Sequence, residues 1–236
     1  MWYCSEDRIR PLVEQYGLPW RHLGGDKAGW ILKPEIEAAI IDGSMFKLIK
    51  LTEELEKTID KQGILDTYIP ALSGADIVIT GGLCISETWT ACEYLKINTY
   101  LPVLLGPTMK TSEYPLWAMK KIAFFSCMNG WTYDIAYTSM WNSEKKFINP
   151  WRLRLGLAPV ENKQGTLEFI NNLHAPIMMC CTELICGPKR QIPDDYPSNA
   201  GCMGYYFTPD EFDLNPDQKL VEFLETNTDR PCIYLG

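Results

Sequence analysis

The sequence predicts an α/β fold built on a parallel sheet with flanking helices, and two observations carry that prediction. The first is the stretch Ala75–Ile97. Ile77, Val78 and Ile79 form a short β-branched run that reads as a strand buried on both faces. Thr80-Gly81-Gly82 breaks the run, and from Ser86 onward Thr88, Trp89, Cys92 and Leu95 fall on one helical face. Strand, glycine turn and amphipathic helix make one βα unit. The second observation is that two further strand ends carry glycine with small polar residues. They are Gly24-Gly25-Asp26 and Gly106-Pro107-Thr108-Met109. Ligands of open α/β sheets sit outside the carboxyl ends of strands, so Thr80–Gly82 is the expected place for one. The alternative is that all three turns are plain connections.

In chain order, Trp2-Tyr3-Cys4 reads as the tail of a strand, and Ser5 as the N-cap of a helix through about Gln15. Gly17 ends that helix, and Leu18–Leu23 is a short extended segment before the first glycine turn. Pro34 to about Lys61 is helical in pattern, in two stretches interrupted near Gly43. There Leu48, Leu51, Leu55 and Ile59 lie beneath a charged face of Glu53, Glu54, Glu56 and Lys57. Ile64–Leu72 leads into the Ile77 strand, and a further strand covers Thr99–Leu105. Between Ser112 and Trp141 the chain is too rich in aromatics and methionine for a single stripe. A helix apolar on most sides is either buried or turned toward something greasy, a lipophilic ligand or a bilayer surface. Phe147–Leu157 reads as a short turn or helix ended by Gly156, and Ile177–Cys180 as a strand. Pro188, Pro193 and Pro197 punctuate a loop, with Asp194-Asp195 acting as a cap and turn. A brief strand over Cys202–Phe207, a helix from Asn215-Pro216 to about Glu225, and a last strand over Pro231–Gly236 complete the pattern. Both ends read as cut, the first on a strand remnant and the last on the glycine of a strand–turn.

The 236 residues suffice for one large or two small domains. A net charge of −8 and a pI near 4.9 argue against an electrostatic nucleic-acid binder. No run of eighteen apolar residues is present, and no charged-then-apolar leader opens the chain, which makes a cytoplasmic location the expectation. The nine cysteines are odd in number, and Cys84, Cys92, Cys180 and Cys232 sit inside apolar patterns as small hydrophobes. There is no Cys-x-x-Cys pair, and Cys180-Cys181 with Cys186 has no histidine at ligand spacing. No metal is expected. His22 and His174 accompany no nucleophile motif. His22 either pairs with Asp26 or is a structurally satisfied strand residue. Phosphate-binding and dinucleotide-binding glycine motifs are lacking.

Four segments occur in a particular order: Pro193-Asp194-Asp195-Tyr196-Pro197, Gly204-Tyr205-Tyr206-Phe207, Leu220-Val221-Glu222-Phe223-Leu224 and Pro231-Cys232-Ile233-Tyr234-Leu235-Gly236. With Gly17-Leu18, Leu23–Asp26, Ala75-Asp76, Gly106–Thr108, Asn149, Arg152 and Leu155-Gly156-Leu157, this order resembles the sterol 3-β-glucosyltransferases, a branch of the UDP-sugar-dependent glycosyltransferases. Tyr196 stands where that family has tryptophan. The resemblance implies a Rossmann-like parallel sheet with flanking helices, the N-terminal half of a GT-B fold. Residues 1–187 would be the acceptor-binding domain, with its first strand missing. Residues 188–236 would be the interdomain linker and the start of the UDP-sugar-binding domain. The implied reaction is inverting transfer of glucose from UDP-glucose, a co-substrate rather than a cofactor, to the 3-hydroxyl of a sterol or similar lipophilic alcohol. The donor would bind through the C-terminal domain, no nucleic acid is involved, and peripheral membrane association is an open alternative to a purely cytoplasmic protein.

The family's first strand and glycine-rich loop, beside which its base is expected, have no counterpart here, so the catalytic residue stays unknown. The residues carried over are the acceptor-cleft rim: Gly25, Asp26, Thr80, Gly81, Gly82, Pro107, Thr108 and Met109. The aromatic segment 116–141 becomes a candidate sterol-side wall or membrane-facing surface beside the core reading. Alone, the chain is expected to be inactive. The alternative is a stand-alone lipid- or sterol-binding module.

Overall fold

The computed structural model describes residues 1–42, 45–122, 125–165, 176–206 and 217–226. They fall into two compact units, Met1–Gly204 and Tyr205–Gly236. In the first unit β1 (Tyr3–Ser5) pairs in parallel with β2 (Trp20–His22). A second sheet holds β3 (Ile77–Gly81), β4 (Thr99–Leu104), β5 (Ile177–Met179) and β6 (Ala200–Cys202), neighbours in sequence order and all parallel. Parallel neighbours require crossover connections; helices lie in those from β1 to β2, β3 to β4 and β4 to β5, while a loop with one 3-10 turn, Glu183–Ile185, joins β5 to β6. The chain is therefore α/β, with parallel sheets flanked by helices, an arrangement compatible with one half of a Rossmann-like glycosyltransferase.

The first crossover corrects the expected N-cap. Ser5 is the last residue of β1, and its Oγ accepts a 3.0 Å bond from Trp20 Nε1 of the neighbouring strand. A 3-10 turn over Asp7–Ile9 then leads into α1 (Arg10–Gln15), which has Pro11 in its first turn. Gly17, at φ +68°, ends it as expected. A short helix that the sequence pattern did not suggest, α2 (Lys27–Ile31), follows Asp26, whose side chain caps it through Gly29 N. α3 (Pro34–Ile41) and α4 (Met45–Glu56) are the two expected stretches. Leu48, Leu51 and Leu55 are half-buried while Glu54 and Lys57 are exposed. α5 (Lys61–Asp66), capped by Asp60, and α6 (Tyr68–Leu72) lead into β3.

β3 itself differs from expectation. Val78 and Thr80 are buried, but Ile77 is 56% and Ile79 65% exposed. The strand lies at the edge of its sheet, and α7 (Ile85–Leu95) covers the face that carries Val78 and Thr80. Helices cover one face here, so the three-residue apolar run is half-buried rather than enclosed. α7 presents Thr88, Ala91 and Cys92 to the core, and Lys96 closes it in a left-handed conformation at φ 60°.

The aromatic region also departs from the expected break. α8 (Asn129–Arg154) is one helix that passes through Pro150, so Phe147–Leu155 is its last part rather than a separate turn. Asn149 and Val160 bond reciprocally, Nδ2 to the Val160 carbonyl at 3.2 Å and Val160 N to Oδ1 at 2.9 Å. The Arg152 guanidinium, 4% exposed, donates to the Ala158 carbonyl at 2.8 Å and to Glu93 of α7 at 2.8 Å. These two residues hold the chain after the helix against it and tie α8 to α7. A continuous core joins Ala91 and Cys92 of α7, Tyr100 and Leu104 of β4, Trp141, Ile148 and Trp151 of α8, and Ile177 and Met179 of β5.

Segment 188–204 belongs to the first compact unit, and its strand is Ala200–Cys202; of the strand expected over Cys202–Phe207, residues 203–206 are not in strand and Phe207 lies outside the described residues. The second unit contains α9 (Gln218–Thr226). The expected cap Asn215-Pro216, the strand Pro231–Gly236 and His174 lie outside the described residues. Among the described residues no helix is long and apolar enough to cross a membrane.

Candidate functional site

The eight rim residues lie at three strand ends: Thr80 and Gly81 close β3 and Gly82 follows it, Gly25 and Asp26 come after β2, and Pro107, Thr108 and Met109 after β4. Gly25 takes φ +109°, and a Cβ there would lie 3.5 Å from Glu6 Oε1. Asp26 is fully engaged: Arg8 donates to its two oxygens at 2.7 and 2.9 Å, and Gly29 N donates to Oδ1 at 3.1 Å. The hydrogen bonds from Arg8 hold this carboxyl below its ordinary range, against the small opposing effect of desolvation. Asp26 is a structural anion. His22 pairs with Asp7 at 2.9 Å and not with Asp26, because Arg8 already occupies that carboxylate.

Thr80 is 4% exposed, and its hydroxyl accepts from Thr88 Oγ1 at 3.0 Å. Thr88 also lies 2.9 Å from the Tyr100 hydroxyl, which donates to the Ile85 carbonyl at 3.2 Å. This hydroxyl chain locks the end of β3 onto α7 and β4. Burial pushes the Tyr100 phenol far up, so it stays protonated. What the turn offers a ligand is backbone: Gly81 is exposed, with nothing within 4 Å of where a Cβ would stand. Gly82 lies beside β4, its notional Cβ 3.7 Å from Leu104 Cδ2. After β4, Pro107 and Thr108 are half-buried, whereas Met109, 5% exposed, points into the core.

A groove of ≈ 530 Å³ lies between the two sheets. Trp2 and Cys4 line it from the β1 side, Ile77, Ile79 and Gly81 from the β3 side, with Tyr68 and Leu72 of α6. Of the eight rim residues, Thr80 and Gly81 line this groove, while the other six do not. Its β1 wall is fixed through one carbonyl. Ala71 O accepts from Trp2 Nε1 at 3.0 Å, Arg21 Nη1 at 3.0 Å and Cys4 Sγ at 3.5 Å. Arg21 also stacks over the Trp2 ring at 3.7 Å, which uses its charge structurally. Burial raises the Cys4 thiol and outweighs the opposing effects of Arg21 and Trp2, so the wall stays neutral there. The volume falls in the range of about 300–1,000 Å³ typical of small-molecule sites, and the lining is mostly apolar.

The aromatic segment is buried in part and exposed in part. Tyr133, Tyr137 and Trp141 are buried, whereas Trp117 is 74%, Phe125 71% and Trp131 50% exposed. Among the described residues the buried Tyr133 hydroxyl has no hydrogen-bond partner. Nearby, Asp195 acts as the expected turn residue and as a staple. It accepts from Thr111 Oγ1 at 2.6 Å, Ser112 N at 2.7 Å and Ser112 Oγ at 2.8 Å. Tyr196, in the position of the family's tryptophan, is buried and lies 3.2 Å from the Tyr114 hydroxyl.

Sequence spacing missed one constellation. The sulfurs of Cys181, Cys186 and Cys202 lie within 4.8 Å of one another. Cys202 is distant in sequence and arrives by the pairing of β6 with β5, which no local spacing reveals.

No family model matches the sequence. The chain is 25% identical over 238 residues to O-mycaminosyltylonolide 6-deoxyallosyltransferase of Streptomyces fradiae, a match that covers 98% of this chain and 53% of that protein. It is 23% identical over 241 residues to sterol 3-beta-glucosyltransferase of Aspergillus oryzae, covering 99% of this chain and 16% of that protein. The chain thus spans about half the length of the first relative and a much smaller share of the second. Both relatives are glycosyltransferases, and their names differ in both sugar and acceptor, so the similarity supports a glycosyltransferase relationship without selecting the sterol branch.

Proposed function

We propose that these 236 residues form the acceptor-binding half of a glycosyltransferase that moves glucose from UDP-glucose to the 3-hydroxyl of a sterol or similar lipophilic alcohol. The observation that carries this reading is similarity along nearly the whole chain to two sugar transferases, one of them named for a sterol. The mostly apolar groove beside Gly81 supports a lipophilic acceptor. In this reading the fused rings lie against Ile77 and Ile79, and the hydroxyl end meets the exposed backbone of Gly81. Gly25–Asp26 and Pro107–Met109 complete the rim as backbone and positioning elements, since Asp26 is held by Arg8 and Met109 is buried. The hydroxyl must lose its proton as it attacks the anomeric carbon while UDP departs, and proximity does much of the work. UDP-glucose is the co-substrate, bound by a donor domain that these residues do not supply.

The test is a titration of the purified chain with a fluorescent sterol, read by energy transfer from tryptophan. Saturable binding is expected. Ile79→Asp should weaken it by about tenfold or more, since a buried aliphatic contact is worth about 1.5–3 kcal/mol and about 1.4 kcal/mol is tenfold. Ile79 is 65% exposed, so the variant should remain folded. No saturable sterol binding by the folded chain would overturn the sterol acceptor. Glucose transfer from UDP-glucose by the 236 residues alone would overturn the half-enzyme reading. Sterol binding that is never accompanied by transfer, even with a donor domain added, would favour the stand-alone binding module.

A further inference from the structure

We infer that Cys181, Cys186 and Cys202 form a three-thiolate site for a thiophilic d10 cation, Zn(II) or Cu(I). Cys181 Sγ and Cys202 Sγ are 3.9 Å apart, and Cys186 Sγ and Cys202 Sγ 3.6 Å. With metal–sulfur bonds of about 2.3 Å, two thiolates on one ion stand about 3.8 Å apart in tetrahedral and about 4.0 Å apart in trigonal geometry. Two of the three pairs are already at ligand separation, and all three sulfurs lie within 4.8 Å of one another. A disulfide would need them at about 2.05 Å, a much larger displacement.

Three separate elements hold the sulfurs there, which makes the site pre-organised. The pairing Met179↔Cys202 sets Cys202 beside β5. Cys181 lies two residues past Met179 and is fixed by Gly204 N, which donates to its carbonyl at 3.1 Å. Cys186 returns by the 3-10 turn Glu183–Ile185, and Gly187 leaves it at φ +73° with its α-carbon against the Tyr114 ring. Cys181 and Cys186 are 0% and 1% exposed, while Cys202 is half-buried and gives the ion its entry side. Burial pushes the Cys181 and Cys186 thiols up from their ordinary value. Binding exchanges three S–H bonds for three metal–sulfur bonds and sends the protons to solvent. Soft thiolates select soft cations over magnesium or calcium, which prefer oxygen. Cu(I) is satisfied by three sulfurs, whereas Zn(II) takes a fourth ligand from solvent on the Cys202 side.

The experiment uses the full chain, reduced and stripped of metal, titrated with Zn(II), with Cd(II) as its spectroscopic surrogate, and separately with Cu(I), each against a chromophoric competitor. The expected result is one ion per chain, a sulfur-to-cadmium charge-transfer band and release of about three protons. The tighter arm identifies the ion. Cys186→Ser and Cys202→Ser should each weaken binding by more than the about 10–100-fold typical of losing a supporting residue. Cys127→Ser, at an exposed thiol, should change nothing. Alkylation mapped by mass spectrometry on the unmodified protein gives a readout that needs no variant. Bound metal should slow alkylation of half-buried Cys202 relative to the metal-stripped chain and leave exposed Cys127 reactive. Absence of saturable uptake by the folded chain, uptake indifferent to both substitutions, or a disulfide within the trio in place of uptake would each overturn the assignment.

Discussion

Replacing Trp151 tests how the groove is held up from behind. Trp151 is 0% exposed, its ring meets Tyr68 edge-on at 6.4 Å and 63°, and its Nε1 donates to Asp66 Oδ1 at 3.0 Å. Tyr68 lines the groove, so Trp151 supports that wall from α8. Trp151→Ala removes a whole buried ring and should cost about 3–5 kcal/mol. Trp151→Phe keeps most of the packing and loses one hydrogen bond. Asp66 would not be orphaned, because Arg154 still donates to it at 2.8 and 3.2 Å. The Phe variant should therefore lose about 1 kcal/mol from that bond rather than the larger penalty of an unsatisfied acceptor. A double-mutant cycle with Tyr68→Ala should return a coupling of about 0.5–1.5 kcal/mol beyond area burial. Urea denaturation reads all of these as shifts of midpoint at constant slope. A loss under about 1 kcal/mol for Trp151→Ala would refute the claim that this ring is a keystone of the core. Zero coupling to Tyr68 would refute the proposed link to the groove.

Two other substitutions probe polar groups. Tyr133→Phe removes a buried hydroxyl that has no partner among the described residues, so the thermal midpoint should hold or rise. A fall of several degrees would show that the hydroxyl is satisfied, for example by a bound water. Asp195 is the pH-sensitive staple. Burial acts to raise its pKa, but the donors Thr111 and Ser112 prevail and hold it below the ordinary carboxylate value. A folded pKa below the unfolded one gives stability that is complete above about pH 4 and fades as pH falls through the folded value. Asp195→Asn should accordingly be less stable than the parent at neutral pH, with the gap closing below about pH 4. A gap that widened in acid would contradict the hydrogen-bond assignment.

The sequence was most readable where structure is local. The β3–turn–α7 unit, the three glycine turns, the amphipathic α4 and the stop at Gly17 all follow from short-range periodicity and backbone freedom. Longer-range facts were not readable. Pro150 suggested a break, yet α8 continues through it, with Ile148, Trp151 and Arg152 buried around that point. Tertiary packing there outweighs a lost backbone bond. Ile77 and Ile79 looked enclosed because composition cannot say whether a second layer covers a strand. The rim was legible as three turns but not as one surface. Asp26 is claimed by Arg8, Met109 by the core, and Gly81 alone of the eight presents an open backbone to the groove. The thiol trio needed the β5–β6 register, which joins residues more than twenty positions apart.

The all-parallel ladder also sets the order in which the chain organises itself. Val103 pairs with Met178 and Leu104 with Met179, and between them lies the whole of α8. Closing so long a loop carries an entropy cost that no local contact offsets. α8 and the β3–α7 unit draw on neighbours in sequence and should acquire structure early, while β5 and β6 join last. Until they do, β4 is an unpaired apolar edge, the kind of surface that recruits chaperones or other chains. Expression at low temperature, with slower synthesis and weaker hydrophobic association, should therefore raise the yield of folded protein.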